Sequence, residues 1–297
     1  MDVNLLMLKR DIIEHIIPED DWSVPFISGY GGSYGSEVQI IASTTFPFIL
    51  CGAYIYEHLW SDLTGANRTV LNIRVKTGPG GSAVPIAESS MALMLQVISG
   101  TGLSIRGLTG HTHRFAPTLI PTGTRLSVDA SCTLAASADV AVGGAIYLVG
   151  YDAREWALPL QYLRDQIAYM KGLMVQAQST LTYPAPGTLS LTRGGTWVYG
   201  TAVEFVASAT SPLLITGAVA GSSIVDDNAQ LKIGLGAGNG TSHSKVGFPT
   251  GGSMPGPMGT ADLIRPLFVL PGERVSARVA CSAAGAVNIG LRGIALK

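Results

Sequence analysis

Three groups of residues have the types and spacing that chemistry uses. Gly31-Gly32-Ser33-Tyr34-Gly35 matches the G-x-S-x-G pattern, which in a hydrolase strains a serine between a strand and a helix so that it can attack a carbonyl. Here Val38-Gln39-Ile40 alternates as a strand directly afterwards, so the segment is expected to be a glycine-rich entry loop and not a catalytic elbow. Gly234, Gly236, Gly238 and Gly240 resemble a phosphate loop, but such a loop must open a helix, and no helical stripe follows before Pro249. A hairpin end is the reading these glycines support. His111-Thr112-His113 sets two imidazoles on one face of an extended chain, a start for a metal site, but no acidic or cysteine ligand lies close in sequence. Loop histidines are expected there.

The remaining reactive groups point the same way. The acidic clusters Glu19-Asp20-Asp21 and Asp226-Asp227 lack a twelve-residue calcium-loop pattern and read as solvated turns. Asn67-Arg68-Thr69 and Asn239-Gly240-Thr241 fit the glycosylation pattern but no secretion signal accompanies them. Cys51, Cys132 and Cys281 are an odd set in a long chain and are expected to be buried thiols. No acid–base pair and no nucleophile–base pair emerges, so no catalytic, cofactor-binding or metal-binding residue is assigned.

The elements that carry these residues show a duplication. Tyr34–Ile55 (YGSEVQIIASTTFPFILCGAYI) matches Tyr199–Ala220 (YGTAVEFVASATSPLLITGAVA), with Tyr34/Tyr199, Gly35/Gly200, Pro47/Pro212 and Gly52/Gly217 in step. Two collinear blocks follow. LNIRVKTGPGG aligns with LKIGLGAGNGT through Leu71/Leu231, Ile73/Ile233, Gly78/Gly238 and Gly80/Gly240. IPTGTRLSVDASC aligns with LPGERVSARVAC through Pro121/Pro271, Arg125/Arg274, Ser127/Ser276 and Cys132/Cys281 after a one-residue gap.

Alternation of apolar and polar residues at Leu71–Lys76, Leu126–Asp129 and Val287–Ile289 predicts half-buried strands, separated by Gly- and Pro-containing turns. The fold class is therefore mainly β: two tandem antiparallel β-sandwich domains of jelly-roll type from an internal duplication, each preceded by a short α-helix. The predicted divisions are an N-terminal helical segment at 1–22, a first sandwich at 23–154, a linking helix at 155–178 and a second sandwich at 179–297. Leu5, Leu8, Ile12 and Ile16 line one face of the first helix. Leu160, Leu163, Ile167, Met170 and Met174 form a two-heptad seam on the second, which either packs on its own sandwich or joins a bundle at an oligomer axis.

Composition limits the partners. Of the 297 residues 47% are hydrophobic and only 13% charged, where about 25% is usual in soluble domains. A net charge of −1 argues against nucleic acid, and no apolar run is long enough for a membrane helix. The charge is thinnest from Thr180 to Thr260. Such a chain is expected to cover apolar surface by assembly. Met91, Leu93 and Leu95, in a run too apolar to leave in water, are interface candidates with the helix-face residues above. Removing 1–22 is expected to abolish incorporation into the assembly while the rest still folds.

The "STTFPF…GAYI" strand, the Leu-x-Ile-x-Val strand ending at glycine, the "(I/L)P-x-G-x-R-(L/V)-S" strand and the closing "AVNIGLRGIAL" resemble virion structural proteins of tailed bacteriophages. Capsid decoration (cement) proteins and tail- or fibre-attached modules carry jelly rolls of this kind. The resemblance spans roughly 34–151 and 196–296. It implies a virion protein assembled in the host cytoplasm, without catalytic residues or cofactors, commonly a homotrimer, whose partners are capsid or tail subunits. A host-receptor or glycan-binding module is the other reading; for it, Trp22, Trp60, Trp156 and Trp197 form no cluster with carboxylate or amide residues.

Overall fold

The computed structural model describes residues 14–18, 24–61, 67–86, 89–97, 110–134, 140–155, 160–176, 181–183, 188–196, 198–220, 227–236, 242–250, 259–281 and 285–296. The chain divides into two compact units, Ile16–Ala153 and a second formed by Arg154–Lys297 with Met1–His15.

In the first unit, alternation becomes a sandwich. Leu71, Ile73 and Val75 are fully buried while Asn72, Arg74 and Lys76 between them are only partly covered, so one face of this strand meets a core and the other meets polar neighbours. Each such apolar side chain contributes roughly 1.5–3 kcal/mol by leaving water. The strands are β1 (Glu14–Ile17), β2 (Val24–Ile27), β3 (Val38–Ile41), β4 (Phe48–Ser61), β5 (Asn67–Thr77), β6 (Val84–Pro85), β7 (Met91–Val97), β8 (Gly110–Ile120), β9 (Leu126–Cys132) and β10 (Val140–Asp152). One sheet has the order β1-β10-β4-β8, with β2 also on β10; the other has β3-β9-β5-β6, with β7 also on β5. Between them lie Phe48, Leu50, Leu71, Ile73, Val128, Ile146 and Leu148.

The order of pairing defines the topology. Among β2, β3, β4, β5, β7, β8, β9 and β10, the first pairs with the last, the second with the seventh, the third with the sixth and the fourth with the fifth. This is one long hairpin rolled over itself, the jelly roll. The second unit repeats it with β12 (Leu189–Thr192), β13 (Val203–Val206), β14 (Leu213–Ala220), β15 (Asp227–Leu235), β16 (Ser242–Thr250), β17 (Gly259–Val269), β18 (Val275–Cys281) and β19 (Ala286–Ala295). A further short strand, β11 (Leu181–Tyr183), pairs with β19 as β1 pairs with β10.

Register carries the duplication to the backbone and corrects its alignment. Val38 faces Val128 and Val203 faces Ala277, with the same irregularity one step later. Leu71 faces Cys132, but the residue facing Cys281 is Ala229, so Leu71 is equivalent to Ala229 and Ile73 to Leu231. The sequence alignment of this block was therefore slipped by two residues. A slip of two keeps every side chain on its proper face, which is why alternation could not expose it. Gly78 and Gly236, both with positive φ (117° and 102°), donate from their N–H groups to the carbonyls of Arg125 and Arg274. They are the true pair, in place of Gly78/Gly238.

The Pro121/Pro271 pairing is corrected as well. Phe48 faces Ile120 and Leu213 faces Val269, while Gly123 and Gly272 (φ 81° and 85°) donate to the carbonyls of Thr44 and Ala209. The turn is thus ungapped, and Thr122, not Pro121, matches Pro271. Prolines do coincide elsewhere: Pro117 and Pro266 lie in the irregularities of β8 and β17, where a residue without an N–H interrupts no ladder bond.

The helical expectations fare differently. Ile16, expected on a helix face, lies in β1 and is 1% exposed, because pairing with β10 satisfies its backbone and buries its side chain. Leu5, Leu8 and Ile12 lie outside the described residues. The linking helix α1 (Leu160–Gln176) forms. Leu163 and Gln166 are buried, and Tyr169 packs against Leu214 and Phe268 of the second sandwich. The helix thus turns a face containing Leu163, Gln166 and Tyr169 to its own sandwich; the side chains of Ile167, Met170 and Met174 are outside the described set. Among the described residues no helix is long and apolar enough to cross a membrane.

Candidate functional site

The outer face of the first unit's β3-β9-β5 layer holds an ionic network. On β5, Arg74 and Lys76 alternate with the core residues, and Asp129 sits directly across from Arg74 on β9. Its carboxylate accepts from Arg74 Nε at 2.9 Å and Nη2 at 2.7 Å, a bidentate pair, and lies 3.3 Å from Lys76 Nζ. Lys76 also donates to Glu37 at 3.0 Å, and Arg125 donates to Glu37, to Gln39 at 3.2 Å and to the carbonyl of Gly78 at 3.3 Å. The Arg74 guanidinium lies 3.3 Å from the centroid of the Tyr34 ring. Three cations and two carboxylates are thereby locked across three strands.

The charges are held hard in their ionised forms. Burial by itself raises the Glu37 carboxyl, but hydrogen bonds from Arg125 and Lys76 outweigh it and hold the group at about 2, against 4.5 normally. Arg74 is raised by its hydrogen bonds to Asp129. Lys76 is also raised: its burial opposes the charge and the bonds to Glu37 and Asp129 prevail.

The second unit builds a different surface on the same backbone. Tyr199, equivalent to Tyr34, has Lys232 Nζ 4.1 Å from its ring centroid and Arg278 at 5.9 Å, and its hydroxyl donates to Gln230 at 2.7 Å. By register, Lys232 stands where Arg74 does and Arg278 where Asp129 does. The ring–cation contact is retained and the carboxylate is replaced by a cation. Arg274 pairs with Glu204 at 3.3 Å, the positions of Arg125 and Gln39.

The residues singled out from sequence are dispersed. Ser33 lies in a turn in which its N–H bonds the Tyr30 carbonyl, and strand β3, not a helix, follows it. Gly234 and Gly236 end β15, which forms a hairpin with β16. His111 and His113 stand in β8 opposite Ile55 and Ala53, so they are strand and not loop residues. Among the described residues no three His, Cys, Asp or Glu are grouped to share a metal. Glu19, Asp20, Asp21 and Asp226 are outside the described residues. Cys51, Cys132 and Cys281 are buried thiols, the last two at equivalent strand ends. Met91, 5% exposed, joins the core between the sheets; Leu93 and Leu95 share its strand, and their side chains are outside the described set.

The network itself went unnoticed in the sequence. Its signal is the polar half of the alternation: Arg74 and Lys76 on one strand, Ser127 and Asp129 on another. Only register shows that they face each other.

No protein-family model matches the chain, and no curated protein matches it by sequence. Similar solved structures include the tandem CBM22-1-CBM22-2 domain of Paenibacillus barcinonensis Xyn10C, at 10% identity and TM-score 0.22, covering 97% of this chain and 92% of that one. The VP2 subviral particle of infectious bursal disease virus matches at 11% identity and TM-score 0.23, covering 96% and 71%. PNGF-II matches at 10% and 0.22, covering 97% and 64%. Similarity this distant carries no functional argument; the strand pairing itself makes this a tandem jelly-roll protein.

Proposed function

We propose that this chain is a non-enzymatic virion structural protein of a tailed bacteriophage, a capsid decoration or tail-attached accessory protein that acts through contacts with capsid or tail subunits and with copies of itself, in a trimer. The observation that carries this reading is that two sandwiches share one order of strand pairing, and one register where β3 meets β9 and β13 meets β18, yet differ at equivalent outward positions: Asp129 against Arg278, Gln39 against Glu204, Lys76 against Gly234. Duplicating a rigid body while changing its outer face gives one chain two distinct contact surfaces. Linking them raises the effective concentration of the second contact once the first has formed.

A glycan-binding role uses the same fold, and fold alone does not choose between them. Quantitative mass spectrometry of purified particles and sedimentation of the isolated chain make the choice. Tens to hundreds of copies per particle and a mass three times that of the chain are expected. Absence from particles, combined with saturable binding on a glycan array, would sink the assembly role.

A further inference from the structure

The first sandwich contains a cleft. It opens where the edge strands β2 and β3 of the two sheets diverge, has a volume of about 600 Å³, and is lined by residues that include Phe26, Ile27, Ser28, Val38, Val142 and Gly144. That volume is within the roughly 300–1,000 Å³ range of small-molecule sites. Ile27, at the cleft, is 57% exposed.

Register explains why the space exists. Val142, Ile146 and Leu148 of β10 point into the core, so Gly144, of the same parity, occupies an inward position, directly across from Phe26. In the second sandwich the residues facing each other at this place are Val287 and Leu191, both fully buried. Gly143 is matched in the same way by Ala286. A valine side chain thus fills in one sandwich what a glycine leaves open in the other.

Two serines line the cleft, Ser28 and Ser36; Ser36 is exposed and Ser28 is buried. Ser28 is 3% exposed, its N–H bonds the carbonyl of Val142 at 2.8 Å, and its Oγ has no hydrogen-bond partner among the described residues. A buried hydroxyl left without a partner is costly, and a ligand that supplies one removes the cost. At the equivalent position Arg193 reaches the Cys281 carbonyl at 3.2 Å and Thr196 Oγ1 at 3.1 Å, so the second sandwich has its polar group occupied where the first does not.

We propose that this cleft binds a small aliphatic molecule carrying a terminal hydroxyl or carboxyl, its chain between the sheets along Phe26, Val38 and Val142 and its polar end at Ser28 Oγ. The inference is independent of the virion reading. 1-Octanol and octanoate serve as probes in ligand-observed NMR titrations of the full chain. Saturable binding is expected, with affinity falling in the order wild type, Gly144→Ala, Gly144→Val, the last at least about tenfold weaker because it installs the side chain that stands at this position in the second sandwich. Ser28→Ala should weaken octanol about fivefold through loss of its hydrogen bond. Gly144→Ala removes least space and keeps the series informative if the valine variant does not fold. Absence of saturable binding by the wild type overturns the proposal, as does wild-type affinity in both Gly144 variants. A change in sedimenting mass on Gly144→Val, with no probe bound by the wild type, would instead assign the cleft to a neighbouring protein chain.

Discussion

At the scale of single residues, the Glu37 carboxylate offers the clearest handle. Its value of about 2 in the folded chain lies below the usual 4.5 of a glutamate carboxyl, so its contribution is complete above pH 4.5 and disappears as pH falls through about 2. Glu37→Gln should therefore flatten the acid limb of stability between those values while costing about 1 kcal/mol at neutral pH, since water still reaches this side chain. Urea titrations at stepped pH measure both. An acid limb unchanged by the substitution would show that the network leaves Glu37 titrating as it does in the unfolded chain. Individual residues of this kind were the least legible part of the sequence. Glu37, Arg74, Lys76, Arg125 and Asp129 are up to 92 positions apart, and nothing local marks them as partners. Gly144 carried no signal either until strand pairing set it beside Val287.

At the scale of elements, the duplicated turn before β9 and β18 isolates one physical term. Gly123 and Gly272 have left-handed φ, and a β-carbon added at either meets nothing within 4 Å. Alanine there pays only for the backbone conformation, about 1 kcal/mol at each site. The expected outcome is equal loss from Gly123→Ala and Gly272→Ala, with asparagine costing less at both, read as changes in denaturation midpoint. Unequal losses would mean that the turns differ in something other than backbone conformation. Elements were also where sequence reading worked best. Strands such as Leu71–Lys76 were visible because the core takes alternate side chains, and the tandem jelly roll followed from them. It failed where two structures share one apolar pattern. Ile16 and Ile17 suit a helix face and an edge strand alike, and over Glu14–Ile17 pairing with β10 decides for the strand. Removing 1–22 would strip β1 and expose that edge, so it is not the clean deletion the sequence suggests.

At the scale of the whole molecule, the shortage of charge has an internal cause. Where their side chains are described, at 48–55 and 142–152, β4 and β10 are buried on both faces: Phe48, Leu50 and Ile55 against the opposing sheet, Ile49, Tyr54 and Tyr147 on the other side. Strands without a solvent face have nowhere to put an ionised group. Much of the apolar composition that suggests burial against neighbours is thus already used within the chain. Each sandwich has its own inward residues, so Ile73→Ala and its equivalent Leu231→Ala should each cost about 2–5 kcal/mol. Hydrogen exchange should show the larger loss of protection in the sandwich that carries the substitution. Equal loss in both would mean that the two unfold as one.

The shared register also makes the chain a reference for its own redesign. Gly144 and Val287, Ser28 and Arg193, Asp129 and Arg278 are exchanges already present on matching backbone, each in a different company of neighbours. Moving one residue across tests it in foreign surroundings; moving a complete set, such as Tyr34, Arg74 and Asp129 for Tyr199, Lys232 and Arg278, carries its surroundings with it. Chimeras of the second kind separate what a surface recognises from what the scaffold requires.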